Sequence, residues 1–175
     1  MNLIDHTYFQ KRLTAIPTIK EEVLQDLNDH IEKYEPEYLY SVLGVDLTDE
    51  FLAAIEAGST DQRWLDLLNG VVFEYNDIKY KWGGFNNTIK ESPIAYYVMN
   101  YFIRSNNTLF TGIGTVTSNS ENSDRSGPTV KLVDVWNKMV EQNEILVLFI
   151  ESRYSDYSTY APFDSLIYKM NIYGI

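Results

Sequence analysis

The chain has 175 residues, of which 45% are hydrophobic and 14% aromatic, and its formal net charge is −11. This length fits one domain with a buried core, and the composition excludes an intrinsically disordered chain. The acidic balance argues against binding of nucleic acid through phosphate contacts, and the absence of cysteine excludes disulfides, thiolate metal sites and a cysteine nucleophile.

The negative charge is concentrated at the start of the chain. Residues 1–66 contain fourteen Asp and Glu against five Lys and Arg, a net charge of −9, whereas residues 67–175 carry a net charge of −2. The N-terminal stretch has no basic segment followed by an apolar one, so we expect no signal peptide. The longest aliphatic or aromatic run covers residues 145–150, which is far short of the about 20 residues that span a membrane.

The first helical pattern is predicted to contain a break. A capping box at residues 18–21 begins a helix, and Pro36 begins a separate short helix that ends at Gly44. The apolar face of the first helix carries Ile19, Val23, Leu27 and Ile31.

Two further helices are predicted before residue 71. One begins at Asp46 or Thr48 and ends at Gly58. The other begins with a capping-box pattern at residues 59–62 and ends at Gly70.

A β-hairpin at residues 71–82 is the clearest local prediction. The segments VVFEY and IKYKW flank Asn76-Asp77, and both of these residues tolerate the left-handed backbone of a two-residue turn. This turn places Glu74 opposite Lys79, an attractive pair on one face. The other face carries the pairs Tyr75–Ile78, Phe73–Tyr80 and Val71–Trp82.

Two long helices follow the hairpin. Ser92 is predicted to cap the first and Pro93 to open it, while Pro128 opens the second. Their apolar faces are Ile94, Val98, Tyr101 and Phe102 in the first, and Val133, Trp136, Val140 and Val147 in the second. Between them, residues 105–127 predict a long polar loop with one weak strand, LFTGIGTVT.

These elements predict a mainly α fold, a helical bundle with an inserted β-hairpin, a long loop and an extended C-terminal arm. The predicted boundaries are a helical domain at residues 1–151 and an arm at residues 152–175. The arm lacks a helical period and is rich in aromatic residues: Tyr154, Tyr157, Tyr160, Phe163, Tyr168 and Tyr173. They pack either on their own domain or on a neighbouring subunit or partner, for which tyrosine is a favoured anchor. We expect residues 154–175 to carry the contacts between subunits.

The pair Gly83-Gly84 follows a strand and precedes a helix, as phosphate-binding loops do. No Lys-Ser or Lys-Thr follows it, however, and the parallel βαβ context is missing. We therefore expect Trp82, Gly83 and Gly84 to form a structural turn at the exit of the hairpin.

No catalytic or metal-binding motif stands out. Asp26 and His30 share a helical face but lack a third ligand of recognisable spacing. Paired carboxylates at helix starts could serve an acid–base hydrolase, but acidic residues there are also stabilised by the helix dipole. We expect no enzyme, cofactor or metal, and keep the hydrolase as an alternative whose test set is Glu21, Glu22, Asp26, Glu35 and Glu37.

An ordered set of segments gives the chain a resemblance from about residue 33 to its end. The segments are KYEPEYLYSVLG, WLDLLNG, KWGGFNNT, SPIAYYVMNYF, TGIGTV, SEN, VWNKMV and MNIYGI. Together they resemble small virion-associated proteins of tailed bacteriophages, especially crAss-like phages of gut bacteria.

The resemblance implies a structural protein of the head-to-tail connector, located in the virion neck and assembled in the host cytoplasm. Such proteins form a homo-oligomeric ring, expected to be about twelve-fold, below the portal protein and beside other neck or tail proteins. DNA is then expected to pass through the lumen without specific binding, and no membrane is expected to be involved. From their net charge of −9, residues 1–66 are expected to include the surface that faces the lumen or a partner. A tail-side ring, a head-completion protein and a soluble protein-binding adaptor remain alternatives.

Overall fold

A computed structural model of the chain describes residues 2–10, 21–106, 108–111, 114–117 and 128–171. A short 3-10 helix, His6–Phe9, comes first. The remaining elements are α1 (Glu21–Leu43), α2 (Val45–Glu56), α3 (Gln62–Asn69), β1 (Val71–Tyr75), β2 (Ile78–Trp82), α4 (Pro93–Asn106), β3 (Thr108–Thr111), β4 (Gly114–Thr117) and α5 (Pro128–Ser152). The predicted fold class, mainly helical with an inserted hairpin, is confirmed.

Helix α4 forms the centre of the molecule. Every residue from 92 to 100 is buried, and α4 packs between α1 and α5. The β1–β2 hairpin packs on α5. A helix that is buried all round needs apolar residues on every face, and α4 supplies them in the sequence PIAYYVMNYF.

The predicted break at Pro36 is wrong, because α1 is one continuous helix with Pro36 inside it. Its apolar face continues in phase across the proline, so Ile31, Tyr38 and Val42 are all buried on the same side. An interior proline costs about 3 kcal/mol, and burial of these side chains offsets that cost. The capping box predicted at residues 18–21 lies mostly outside the described residues.

The helices between residues 45 and 69 begin at other residues than predicted. Gly44, with φ of 85°, both ends α1 and precedes α2, which starts at Val45. Asp61 rather than Ser59 caps α3, accepting a hydrogen bond from the Arg63 amide at 3.0 Å. The Asp side chain is one of the favoured N-caps, and the capping-box prediction overlooked it.

The register of the β1–β2 hairpin is confirmed for all four predicted pairs, and Val72 pairs with Lys81 in the same register. Asn76 and Asp77 both have positive φ, 52° and 62°, as a type I′ turn requires. Phe73 and Trp82 are buried on the inner face, while the Glu74–Lys79 pair lies on the exposed face.

Two predictions around α4 need correction. The Ser92 side chain does not cap the helix: its buried hydroxyl finds no hydrogen-bond partner within the described part of the chain. The single weak strand predicted after α4 is an antiparallel pair, β3 with β4. Strand-forming residues flank the glycines of TGIG on both sides, so this segment turns back on itself. Residues 118–127 of the predicted loop lie outside the described residues.

The segment after α5 has neither helix nor strand between residues 160 and 171. It begins with turns at residues 153–159 and then follows α5 back toward its start. Helix α5 is therefore covered on two sides. Its core face carries Val135, Met139 and Leu146. Of the four predicted face residues Val140 is buried, while Val133, Trp136 and Val147 are only half-buried.

Candidate functional site

The Trp82–Gly84 turn wraps the C-terminal end of α3. The Trp82 indole donates a hydrogen bond to the Leu67 carbonyl at 3.0 Å, and the Asn86 amide donates to the Leu68 carbonyl at 2.7 Å. Gly84 has φ of 82°, and a Cβ there would overlap the backbone of residues 68–70. The amide of Asn86 thus satisfies a carbonyl at the end of α3. Glycine is required at position 84 because a side chain there would overlap neighbouring main chain.

Gly84→Ala should lower the free energy of unfolding by about 1–3 kcal/mol. The substitution forces a side chain into a left-handed backbone and against neighbouring main chain. Gly83→Ala is the matched control, because a Cβ at Gly83 meets nothing within 4 Å, and its effect should stay within about 0.5 kcal/mol. Urea unfolding of both variants measures the difference, and equal midpoints would contradict this account of the turn.

Tyr157 anchors the start of the C-terminal segment in the core of its own chain. Its side chain is fully buried, and its hydroxyl donates to the Arg63 carbonyl at 2.6 Å. The ring packs edge-on against Phe149, with 5.6 Å between centroids, and against Trp64, with 6.3 Å. Burial raises the pKa of the Tyr157 hydroxyl, so the group stays neutral. For Tyr157 the structure shows packing on the chain's own domain.

An ion pair strengthens the same junction. The Arg153 guanidinium contacts the buried Asp66 carboxylate, which also accepts a hydrogen bond from the Gln62 side chain at 2.6 Å. The Arg63 guanidinium in turn donates to the Asp156 carbonyl at 3.1 Å. Turns 153–159 are thus fixed to α3 by charge-assisted hydrogen bonds as well as by aromatic packing.

Other predicted contact residues of the segment point to solvent. Tyr154 is 60% exposed, Tyr168 is 78% exposed and Phe163 is 91% exposed. Tyr160 is half-buried against the core, and Tyr173 lies outside the described residues. The sequence therefore grouped aromatic residues that the fold divides into one buried anchor, one half-buried side chain and three exposed rings.

The backbone of this segment completes the end of α1. The Ala161 amide donates to the Leu43 carbonyl at 3.3 Å, and the Asp164 amide donates to the Ser41 carbonyl at 3.1 Å. A Cβ on Gly44 would overlap Ala161, so the close approach requires glycine. These bonds satisfy carbonyls that a helix end otherwise leaves open.

Further along, side chains of α5 bind the backbone of the segment. The Asn137 side chain exchanges two hydrogen bonds with the Met170 backbone, at 2.8 and 2.9 Å. The Trp136 indole donates to the Tyr168 carbonyl at 2.8 Å, and the Asn143 side-chain amide donates to the Leu166 carbonyl at 3.2 Å. The exposed rings are thus carried on a fixed main chain.

Glu35 is the carboxylate with the most unusual surroundings. It is 3% exposed in the middle of α1 and accepts hydrogen bonds from the amides of Leu3, at 2.7 Å, and Ile4, at 3.1 Å. Burial raises the pKa of this carboxyl to about 7. A raised pKa is what the hydrolase alternative requires, but both oxygens of Glu35 bind backbone amides and hold the N-terminal segment.

The Asp26–His30 pair lies between α1 and the end of α4. His30 Nδ1 is 3.3 Å from the Asp26 carboxylate, and His30 Nε2 is 2.9 Å from the Ser105 hydroxyl. The imidazole also packs edge-on against Phe102. Across the ranges that the structure describes, no three His, Asp or Glu side chains lie close enough to hold a metal ion.

Sequence reasoning missed Glu35 and the Asp66–Arg153 pair as structural sites. Their partners lie 31 and 87 residues away along the chain, so no local pattern marks them. Within the described helices, none is both long and apolar enough to cross a lipid bilayer.

The chain matches no protein-family model, no curated protein and no solved structure significantly.

Proposed function

We propose that this protein is a structural, non-enzymatic component of a tailed-phage neck, forming a ring in the head-to-tail connector below the portal. The observation that carries the proposal is the C-terminal segment, which presents the exposed rings of Tyr154, Phe163 and Tyr168 on a backbone fixed to α1 and α5. Exposed aromatic side chains on a rigid support are typical anchors of protein interfaces. The ordered sequence segments that resemble phage neck proteins point the same way.

The charge distribution supports a passage for DNA. Exposed carboxylates line the outer face of α2 at Asp46, Asp49, Glu50 and Glu56, in the part of the chain with a net charge of −9. A surface of this sign repels phosphates and gives no counterion release, so DNA beside it would slide without binding.

The test is negative-stain imaging of the purified chain, alone and mixed with its candidate portal protein. The comparison variant carries Tyr154→Ser, Phe163→Ser and Tyr168→Ser together. It should remain folded, because all three aromatic side chains are exposed. It should no longer form the oligomeric rings that the unchanged protein forms with the portal. Truncation after Arg153 is a poor comparison, since it also removes the buried Tyr157.

Circular dichroism and thermal unfolding of the triple variant provide the control for folding. If the folded triple variant formed as many oligomeric rings as the unchanged protein, the role of the C-terminal aromatic residues would be contradicted. An unchanged chain that stays monomeric and ignores every neck protein would contradict the connector function itself and favour the soluble adaptor.

A further inference from the structure

A cleft of about 390 Å³ opens between β2, the loop that follows it, and α5. Its apolar surface comes from Ile89 and Ile145, and Trp82, which is almost fully buried, borders it. Ile89 at the lip is 52% exposed. On the same wall, the Glu91 carboxylate accepts a hydrogen bond from the Tyr96 hydroxyl at 2.8 Å. An apolar cleft of this size, near the lower end of ligand-site volumes, accommodates one aromatic side chain.

Among the described residues, some of the charged side chains at the rim of the cleft form ion pairs and one does not. Glu141 pairs with Lys169 at 3.3 Å, and Lys138 pairs with Asp134 at 3.4 Å. Lys81 also lines the cleft and is exposed, but it has no acidic partner within the ranges that the structure describes. The rim therefore offers one ammonium group to an incoming carboxylate.

Phe163 and Asp164 form the complementary feature elsewhere on the same chain. Phe163 is 91% exposed, so it does not fill the cleft of its own chain. The amides of Ala161 and Asp164, on either side of it, are hydrogen-bonded to the carbonyls of Leu43 and Ser41. The main chain that carries the ring and the neighbouring exposed carboxylate is thus fixed, which lowers the backbone entropy lost on binding.

We propose that the cleft binds Phe163 of a second copy of this chain, with the Asp164 carboxylate of that copy beside Lys81. The inference rests on the ring assembly proposed above and names the surfaces that join its subunits. The two surfaces differ, so the contact is heterologous and repeats from copy to copy, which is the type that closes into a ring. The apolar walls and the single ammonium group match an aromatic ring next to a carboxylate.

Disulfide trapping of the full chain tests this contact, because the natural sequence has no cysteine. One variant carries Ala161→Cys beside the exposed ring, and the other carries Ile89→Cys at the lip of the cleft. When the two variants are mixed and mildly oxidised, they should form a crosslinked dimer with one copy of each. Neither variant on its own should form a crosslinked dimer. Tyr154→Cys replaces Ala161→Cys as the matched control, since it lies on the same segment away from Phe163, and it should crosslink at background level.

Two further changes identify the groups responsible. Adding Phe163→Ala to the Ala161→Cys variant should lower the crosslink yield at least about tenfold, as expected for an interface anchor. Adding Asp164→Lys should also lower it, and Lys81→Asp in the other variant should then restore it. A restored yield in the charge-swapped pair depends on the two residues meeting, which a general loss of folding cannot produce.

Crosslinking at the background level with every variant folded would overturn the inference. So would a Phe163→Ala chain that loses binding to the portal protein but crosslinks unchanged, because the ring of Phe163 would then dock on a different protein. Neither result contradicts the proposed neck function, which is tested separately by ring formation with the portal. Conversely, specific crosslinks in a chain that ignores the portal would support the contact and contradict the neck function.

Discussion

Tyr157→Ala should lower the free energy of unfolding by about 4 kcal/mol, a large part of the stability of a domain of this size. The substitution removes a fully buried ring that packs against Phe149 and Trp64. It also leaves the Arg63 carbonyl without the hydroxyl that donates to it. Urea unfolding followed by tryptophan fluorescence measures the loss, since Trp64 lies in the affected cluster.

Two variants separate the causes of this loss. Tyr157→Phe keeps the ring and removes the hydroxyl, so it should cost about 1 kcal/mol. Tyr154→Ala changes a ring that is 60% exposed, and its effect should stay within about 0.5 kcal/mol. If Tyr157→Ala were as mild as Tyr154→Ala, the segment after α5 would not be part of the folded core.

Glu35→Gln should remove a pH dependence of stability that the unchanged protein shows. Burial raises the pKa of Glu35 from 4.5 to about 7, so between these values the folded chain binds a proton that the unfolded chain has released. Stability must then fall as pH rises through this window. A difference of this size between the two pKa values corresponds to about 3 kcal/mol.

The measurement is the urea midpoint at pH 5 and at pH 8 for the unchanged chain and for Glu35→Gln. The midpoint should fall with pH in the unchanged chain by more than in the variant, because glutamine cannot titrate. Both histidines are present in both chains, so their contributions cancel in the comparison. Glu32→Gln, an exposed change on the same helix, should keep the pH dependence of the unchanged chain. An identical dependence in all three chains would contradict the role of Glu35.

Local features of the fold could be predicted from the sequence. The hairpin was, because the register of a two-residue turn and the Glu74–Lys79 pair are decided within twelve residues. The helical class was predicted because apolar periodicity and helix-end residues are also local patterns. The continuous α1 was not, since packing of Ile31 and Tyr38 on the rest of the molecule outweighs the local effect of Pro36.

The candidate site was predicted only in outline. The C-terminal aromatic residues drew attention through composition, but composition cannot tell the buried Tyr157 from the exposed Phe163. That distinction depends on Arg63, which lies 94 residues earlier, and on the carbonyls of Ser41 and Leu43. The cleft beside Lys81 likewise joins β2 to α5, two elements that no local pattern relates.

The approach of Ala161 to Gly44 has a consequence for the order in which the chain folds. The segment after α5 covers the ends of helices that are synthesised much earlier, so α1 and α3 gain these contacts only after α5 and the turns that follow it have been made. Contacts of such long sequence separation form slowly, because closing a large loop precedes any gain from the contact. During that interval Trp64 and Phe149 lack the ring that covers them, and nascent chains stalled before residue 157 would be prone to aggregate.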